Sequence, residues 1–170
     1  MLSTLSQTVG LPIISEQAEG PVALIKDILI DPNNGGVTGV AILMSKKIVA
    51  TSDIRSWTPE GIKVVDETAI IERSEIIKQQ ISILGHAVFD KNEKFLGIVH
   101  DFVVDTEVSQ LKQIFVKKSI IFIPIEKRII DYRDIVEILP DRIVVKNGLA
   151  PSKEKVRAFV AMKKMTAATG

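Results

Sequence analysis

The residues best placed to do chemistry are carboxylates in matched pairs. Asp27 and Asp31 flank Ile28-Leu29-Ile30, and Asp101 and Asp105 flank Phe102-Val103-Val104. Two carboxylates held close together could bind a divalent cation or divide acid and base roles. Four positions along a strand span roughly 13 Å, so each pair would need a bend to share a ligand. Aspartate at a strand end ordinarily accepts N–H groups of the adjoining turn, and that is the role expected of all four. His86 and His100 are the only histidines, lie outside any H-x-x-x-H spacing, and have no cysteine to complete a zinc shell. Neither a G-x-S-x-G elbow nor a G-x-x-x-x-G-K-[ST] phosphate loop occurs. The expectation is a protein that is not an enzyme, with no catalytic or metal-binding residue, no cofactor and no small-molecule substrate.

The segments carrying the aspartates repeat. Gly20–Asp31 reappears as Lys94–Asp105, Val37–Ile42 lies over Leu111–Val116, and Ser52–Val64 lies over Arg133–Val145 after about seven extra residues. Abundant Ile and Val, scarce aromatics and turn signals such as Asp31-Pro32-Asn33-Asn34-Gly35-Gly36 predict short strands. In the first copy these are Leu11–Ser15, Val22–Ile30, Val37–Met44, Lys47–Ala50 and Ile62–Val65, with a helical turn near Thr51–Arg55. In the second they are His86–Phe89, Phe95–Asp105, Leu111–Lys117, Ile120–Ile125 and Arg142–Lys146. The pattern predicts a mainly β fold of two tandem small barrels, since curling closed removes exposed sheet edges. The first covers residues 1–68 and the second 85–150, each around its own apolar interior. Apolar residues at Ile70, Ile77, Ile81 and Leu84 predict a linker helix within 69–84. A basic helix or tail, capped by Ser152, occupies 151–170.

No apolar run approaches the ~18 residues of a membrane span, and the start of the chain lacks a basic region before its apolar residues. With no cysteine, a cytoplasmic location is expected. Net charge is unevenly spread. Residues 1–84 hold seven basic and ten acidic side chains, residues 85–150 hold ten of each, and residues 151–170 hold five basic residues against Glu154.

These motifs resemble the PRC-barrel family, whose repeat has an early glycine, a strand ending in Asp-hydrophobic-hydrophobic-hydrophobic-Asp, an apolar strand and a closing I-P-x-E-like stretch. Gly10 and Gly85 match the opening glycine, and Asp27–Asp31 and Asp101–Asp105 match the paired aspartates. Ile123-Pro124-Ile125-Glu126 matches the closing stretch, so Pro124 joins the repeat signature. Gly97 matches a second glycine, for which the first copy has Ala23. The first copy has Val49-Ala50-Thr51-Ser52 in place of I-P-x-E. The resemblance covers about 120 of the 170 residues. It implies a scaffold similar to the cytoplasmic part of a photosynthetic reaction-centre H subunit and to the C-terminal half of a ribosome maturation factor, both protein-binding modules. No catalytic set carries over.

Shared residues in a duplicated scaffold are explained by packing, so function is sought where the copies differ. One difference is the insertion around Lys127–Arg133, which adds Lys127, Arg128, Tyr132 and Arg133; Arg and Tyr favour interface cores. The other is the tail, with Lys153, Lys155, Arg157, Lys163 and Lys164. Trp57, an anchor candidate, lies over apolar Ile138 and is expected to pack internally. The leading expectation is an adaptor for a protein partner, a second copy of the chain included. The alternatives are ribosome or RNA association and peripheral attachment to an anionic membrane surface.

Overall fold

The computed structural model describes residues 1–73 and 80–152. It is mainly β. After β1 (Leu2–Thr4) and a one-turn helix α1 (Leu5–Thr8), the first half contributes β2 (Pro12–Ser15), β3 (Gly20–Ile30), β4 (Val37–Ile42) and β5 (Lys47–Ala50). It continues with β6 (Ile54–Thr58), β7 (Gly61–Val64) and β8 (Ile70–Glu72). The second half contributes β9 (Ala87–Asp90), β10 (Phe95–Asp105), β11 (Gln110–Ile120), β12 (Ile123–Asp131), β13 (Ile135–Ile138) and β14 (Arg142–Val145). One sheet runs β6-β7-β2-β3-β4-β5-β8, and the other β12-β11-β10-β9-β14-β13 with β1 added on β10.

The repeat is expressed at the level of hydrogen-bond register. In the first half Ile25 faces Ile42, Asp27 faces Ala41, Ile28 faces Val40 and Ile30 faces Val37. In the second Val99 faces Val116, Asp101 faces Phe115, Phe102 faces Ile114 and Val104 faces Leu111, each pair shifted by 74 positions. Even the bulges recur, at Lys26 and at His100. β2 runs parallel to β7 and β9 parallel to β14 with matching partners. Gly10 and Gly85, at φ +84° and +82°, donate to the carbonyls of Ile25 and Val99 at 2.8 and 2.9 Å. No heavy atom lies within 4 Å of a Cβ built on either glycine, so torsion rather than crowding selects Gly there.

Several expectations need correction. The seven added residues do not lie at Lys127–Arg133. Ile48 and Ile129 occupy matching places opposite Ala41 and Phe115, so the extra length precedes them, in the β11–β12 turn. Ile123-Pro124-Ile125-Glu126 therefore belongs to a hairpin extension and has no counterpart at Val49-Ala50-Thr51-Ser52. The stretch expected as one strand over Ile120–Ile125 is instead split by the hairpin's bend: Ile120 ends β11, Ile121 and Phe122 turn the chain at φ of +46° and +65°, and Ile123 opens β12. Within the expected linker helix, Ile70–Glu72 is a strand against Lys47–Val49, where β-branched residues complete a sheet edge; residues 74–79 lie outside the described residues.

Leu2–Thr4, assigned above to the first unit, joins the second sheet opposite Val103–Asp105. The physical cause is the length of β10. Its neighbour β9 pairs only with Phe95–Ile98, leaving the far end of that edge without partners. The first half has the same vacancy on β3, filled from the other side: Ile81, which leads into the second half, exchanges two 3.0 Å hydrogen bonds with Ile30. Each half thus holds the other's lead-in segment. The buried residues of both halves, from Leu5 and Ile28 to Phe102 and Val145, accordingly form one continuous apolar cluster rather than two separate interiors.

Candidate functional site

The signature aspartates serve the backbone. Asp27 and Asp101 each accept the N–H of the next residue, Ile28 at 2.8 Å and Phe102 at 2.9 Å. Asp31 and Asp105 close matching turns on the N–H groups of Asn33 and Glu107 at 2.9 and 3.1 Å. Asp101 also accepts the Ser6 amide at 3.0 Å and hydroxyl at 2.6 Å, while Asp27 is hydrogen-bonded by Ser82. Both serines belong to the lead-in of the opposite half, so these carboxylates latch the exchange. Burial raises the Asp27 carboxyl above its ordinary value, against the Ser82 and Ile28 hydrogen bonds. Among the described residues no three His, Asp or Glu side chains gather where they could hold a metal ion.

His100 projects from its bulge with Nδ1 2.8 Å from the Phe115 carbonyl, and desolvation followed by the charge of Lys117 lowers its pKa. His86 and Trp57 are half-buried, and each keeps one ring nitrogen without a hydrogen-bond partner. Trp57 packs against the core opposite Ile62, as Ile138 does opposite Ile143.

The residues predicted at Lys127–Arg133 separate. Arg128 is buried at 4% exposure, with Nη1 donating to the Leu96 carbonyl at 3.2 Å and to Glu126 at 2.6 Å and Nε donating to the Leu149 carbonyl at 3.2 Å. It ties the hairpin stem to the body. Tyr132 and Arg133 lie past the other end of β12, lining a shallow depression with Gln110, Lys112 and Asp131. Lys127 alone remains exposed on the stem, directly opposite Lys117. The predicted tail cations Lys153, Lys155, Arg157, Lys163 and Lys164 lie outside the described residues. The last described residue, Ser152, donates its N–H to the Lys127 carbonyl at 2.7 Å, so the described part of the chain ends beside the stem.

The hairpin tip is the feature that sequence reasoning missed. Ile120, Ile121, Phe122 and Ile123 are 56, 84, 98 and 65% exposed, and Pro124 is exposed beside them. Strand alternation would give such a ribbon one polar face; here both faces are apolar. A two-residue turn with positive φ favours Asn-Gly, and a β-branched residue there costs roughly 1–2 kcal/mol. The tip keeps Ile-Phe despite that cost. Gly97, at φ +135°, lies under the stem: a Cβ would stand 2.6 Å from the Lys117 carbonyl oxygen. The first half's turn is shorter, and Met44 at its apex is 97% exposed with φ +57°. Aligning the copies on Ile48 and Ile129 would have exposed the added apolar run.

No described helix is long and apolar enough to cross a membrane. Comparison with protein-family models and with curated proteins finds no match to this chain.

Proposed function

We propose that the protein is a non-enzymatic adaptor: a frame of two tandem PRC-barrel-like halves that attaches to a partner through the β11–β12 hairpin. The observation carrying this reading is the exposed Ile121–Phe122 apex, placed on the largest departure of one half from the other among the described residues. Matching register in the two halves accounts for their shared strands structurally, and the seven-residue extension needs a separate reason. An apolar tip presented to water at a backbone cost is typical of a contact site. The signature carboxylates and Arg128 are engaged in holding the frame, which leaves the tip, Lys117, Lys118 and Lys127 to meet a partner.

The test is site-specific photo-cross-linking in the native cell, with the probe at Phe122 and, as control, at Glu60 on the first half's exposed turn. Adducts from position 122 and none from position 60 are expected. Equal labelling from both, or none from 122, removes the hairpin as the docking element.

A further inference from the structure

Building on that docking role, we infer that the β11–β12 hairpin is a membrane-insertion finger for anionic bilayers. Three observations converge on a lipid surface. First, the apolar character surrounds the tip. Ile120, Ile121, Phe122, Ile123 and Pro124 are all exposed in consecutive positions, so no side of the ribbon is polar. A protein groove covers one face of a ribbon, whereas a bilayer accepts a convex tip from every side.

Second, the cations sit at the right depth. Lys118 and Lys117 lie three and four positions behind Ile121, roughly 10–13 Å along the strand. An apolar element buried about 5–10 Å into the headgroup–acyl boundary would place those ammonium groups among lipid phosphates. Lys117 and Lys127 face each other directly across the hairpin, a like-charge pairing that disfavours the hairpin in isolation. Among the described residues neither has an ion-pair partner within the protein, for Glu126 is paired with Arg128. An external anion would relieve that repulsion.

Third, more positive charge starts from the same place. Ser152 is hydrogen-bonded to the Lys127 carbonyl, and the residues after it carry five cations against Glu154. Each cation close to an anionic leaflet strengthens attachment, in a manner that salt weakens.

The experiment is sedimentation of the full chain with phosphatidylcholine vesicles, with and without phosphatidylglycerol, alongside an indole reporter introduced as Phe122→Trp. Binding to the anionic vesicles, a blue shift of the reporter and its quenching by brominated acyl chains are expected. The exposed double variant Ile121→Ser/Phe122→Ser should bind about tenfold more weakly or worse. Lys117→Glu/Lys127→Glu should do the same while abolishing salt dependence from the stem. Removing residues 153–170 should weaken binding yet leave the reporter's blue shift at high lipid. Binding unaffected by the serine pair and lost with residues 153–170 would overturn insertion, leaving only tail electrostatics. Absence of vesicle binding would overturn the inference too. If position 122 then still cross-links to protein or RNA, the docking role stands and its partner is that macromolecule.

Discussion

Gly36 forms an antiparallel bridge with Gln110, which is its own counterpart in the other half. Val37 N–H donates to the Ser109 carbonyl at 2.7 Å, and Leu111 N–H donates to the Gly35 carbonyl at 2.9 Å. Each bond maps onto the other by the 74-residue shift, so a pseudo-two-fold axis passes between these residues. The chain leaves the bridge in opposite directions in β4 and β11, which carries the two hairpin turns away from each other. Among the described residues the frame departs from this symmetry at β8, which has no counterpart on β12, and at the hairpin tip.

The dyad is crowded, and that gives a first prediction. Gly35 sits at φ +70° with the Tyr132 ring so close that a Cβ would stand 2.3 Å from Cε2. Gly35→Ala should destabilise by roughly 1–3 kcal/mol more than Gly10→Ala, which carries torsional strain alone. Adding Tyr132→Ala should recover the excess. Urea denaturation of the three variants measures it; equal losses at Gly35 and Gly10 would mean the ring yields freely.

Exchange of the lead-in segments makes the second sheet depend on residues far away in sequence. Deleting residues 1–8 removes β1 and the buried Leu5 together, and should cost about 2–5 kcal/mol. Amide exchange should accelerate at Val103–Asp105 in the second half before it does at Lys63–Val64 in the first. Uniform acceleration would argue against a specific pairing.

Much of this frame was legible in the sequence. The aspartate pairs recur because the backbone requires them at the same bulges and turns, and the opening glycines because it requires a positive φ there. Trp57 lies over Ile138 because both fill matching apolar places against the core. Two things were hidden. Pairing between segments distant in sequence leaves no local period, so Leu2–Thr4 and Ile81 gave no sign of which sheet they complete. The tip misled because a run of Ile and Phe reads as a strand, and only positive φ at Ile121 and Phe122 reveals a turn built against its residues' preference.

Asp27 supplies a pH signature. Its carboxyl is raised by burial, so the folded state holds its proton more tightly than the unfolded chain. Stability from this group is therefore highest at low pH and falls as pH rises from about 3.9, the ordinary carboxylate value, through the raised folded value. Asp66 and Asp105, whose pKa values are lowered by hydrogen bonds from Thr68 and from the Glu107 N–H, act in the opposite sense. The difference between wild type and Asp27→Asn isolates the one group. The variant's stability relative to wild type should grow as pH rises through that window, measured by urea midpoints. A difference independent of pH would contradict the assignment.

Arg128 and Lys127 are neighbours in sequence with separate tasks. Arg128→Ala leaves two carbonyls and Glu126 without their buried donor and should cost about 3–5 kcal/mol. Lys127→Ala should change stability by no more than about 0.5 kcal/mol while weakening attachment. Thermal unfolding and partner binding, measured on both, distinguish them; equal destabilisation would show that the stem cation is structural.

The central claim, that each half is completed by the other's lead-in segment, is tested most directly by a disulfide. The chain has no cysteine, so an introduced pair is unambiguous. Leu2 faces Asp105 across the exchanged strands, and Asp31 is the equivalent of Asp105 in Leu2's own half. Oxidation of Leu2→Cys/Asp105→Cys should cross-link nearly all of the folded monomer, and Leu2→Cys/Asp31→Cys should remain reduced. Cross-linking of the second pair in place of the first would show that each half closes on itself.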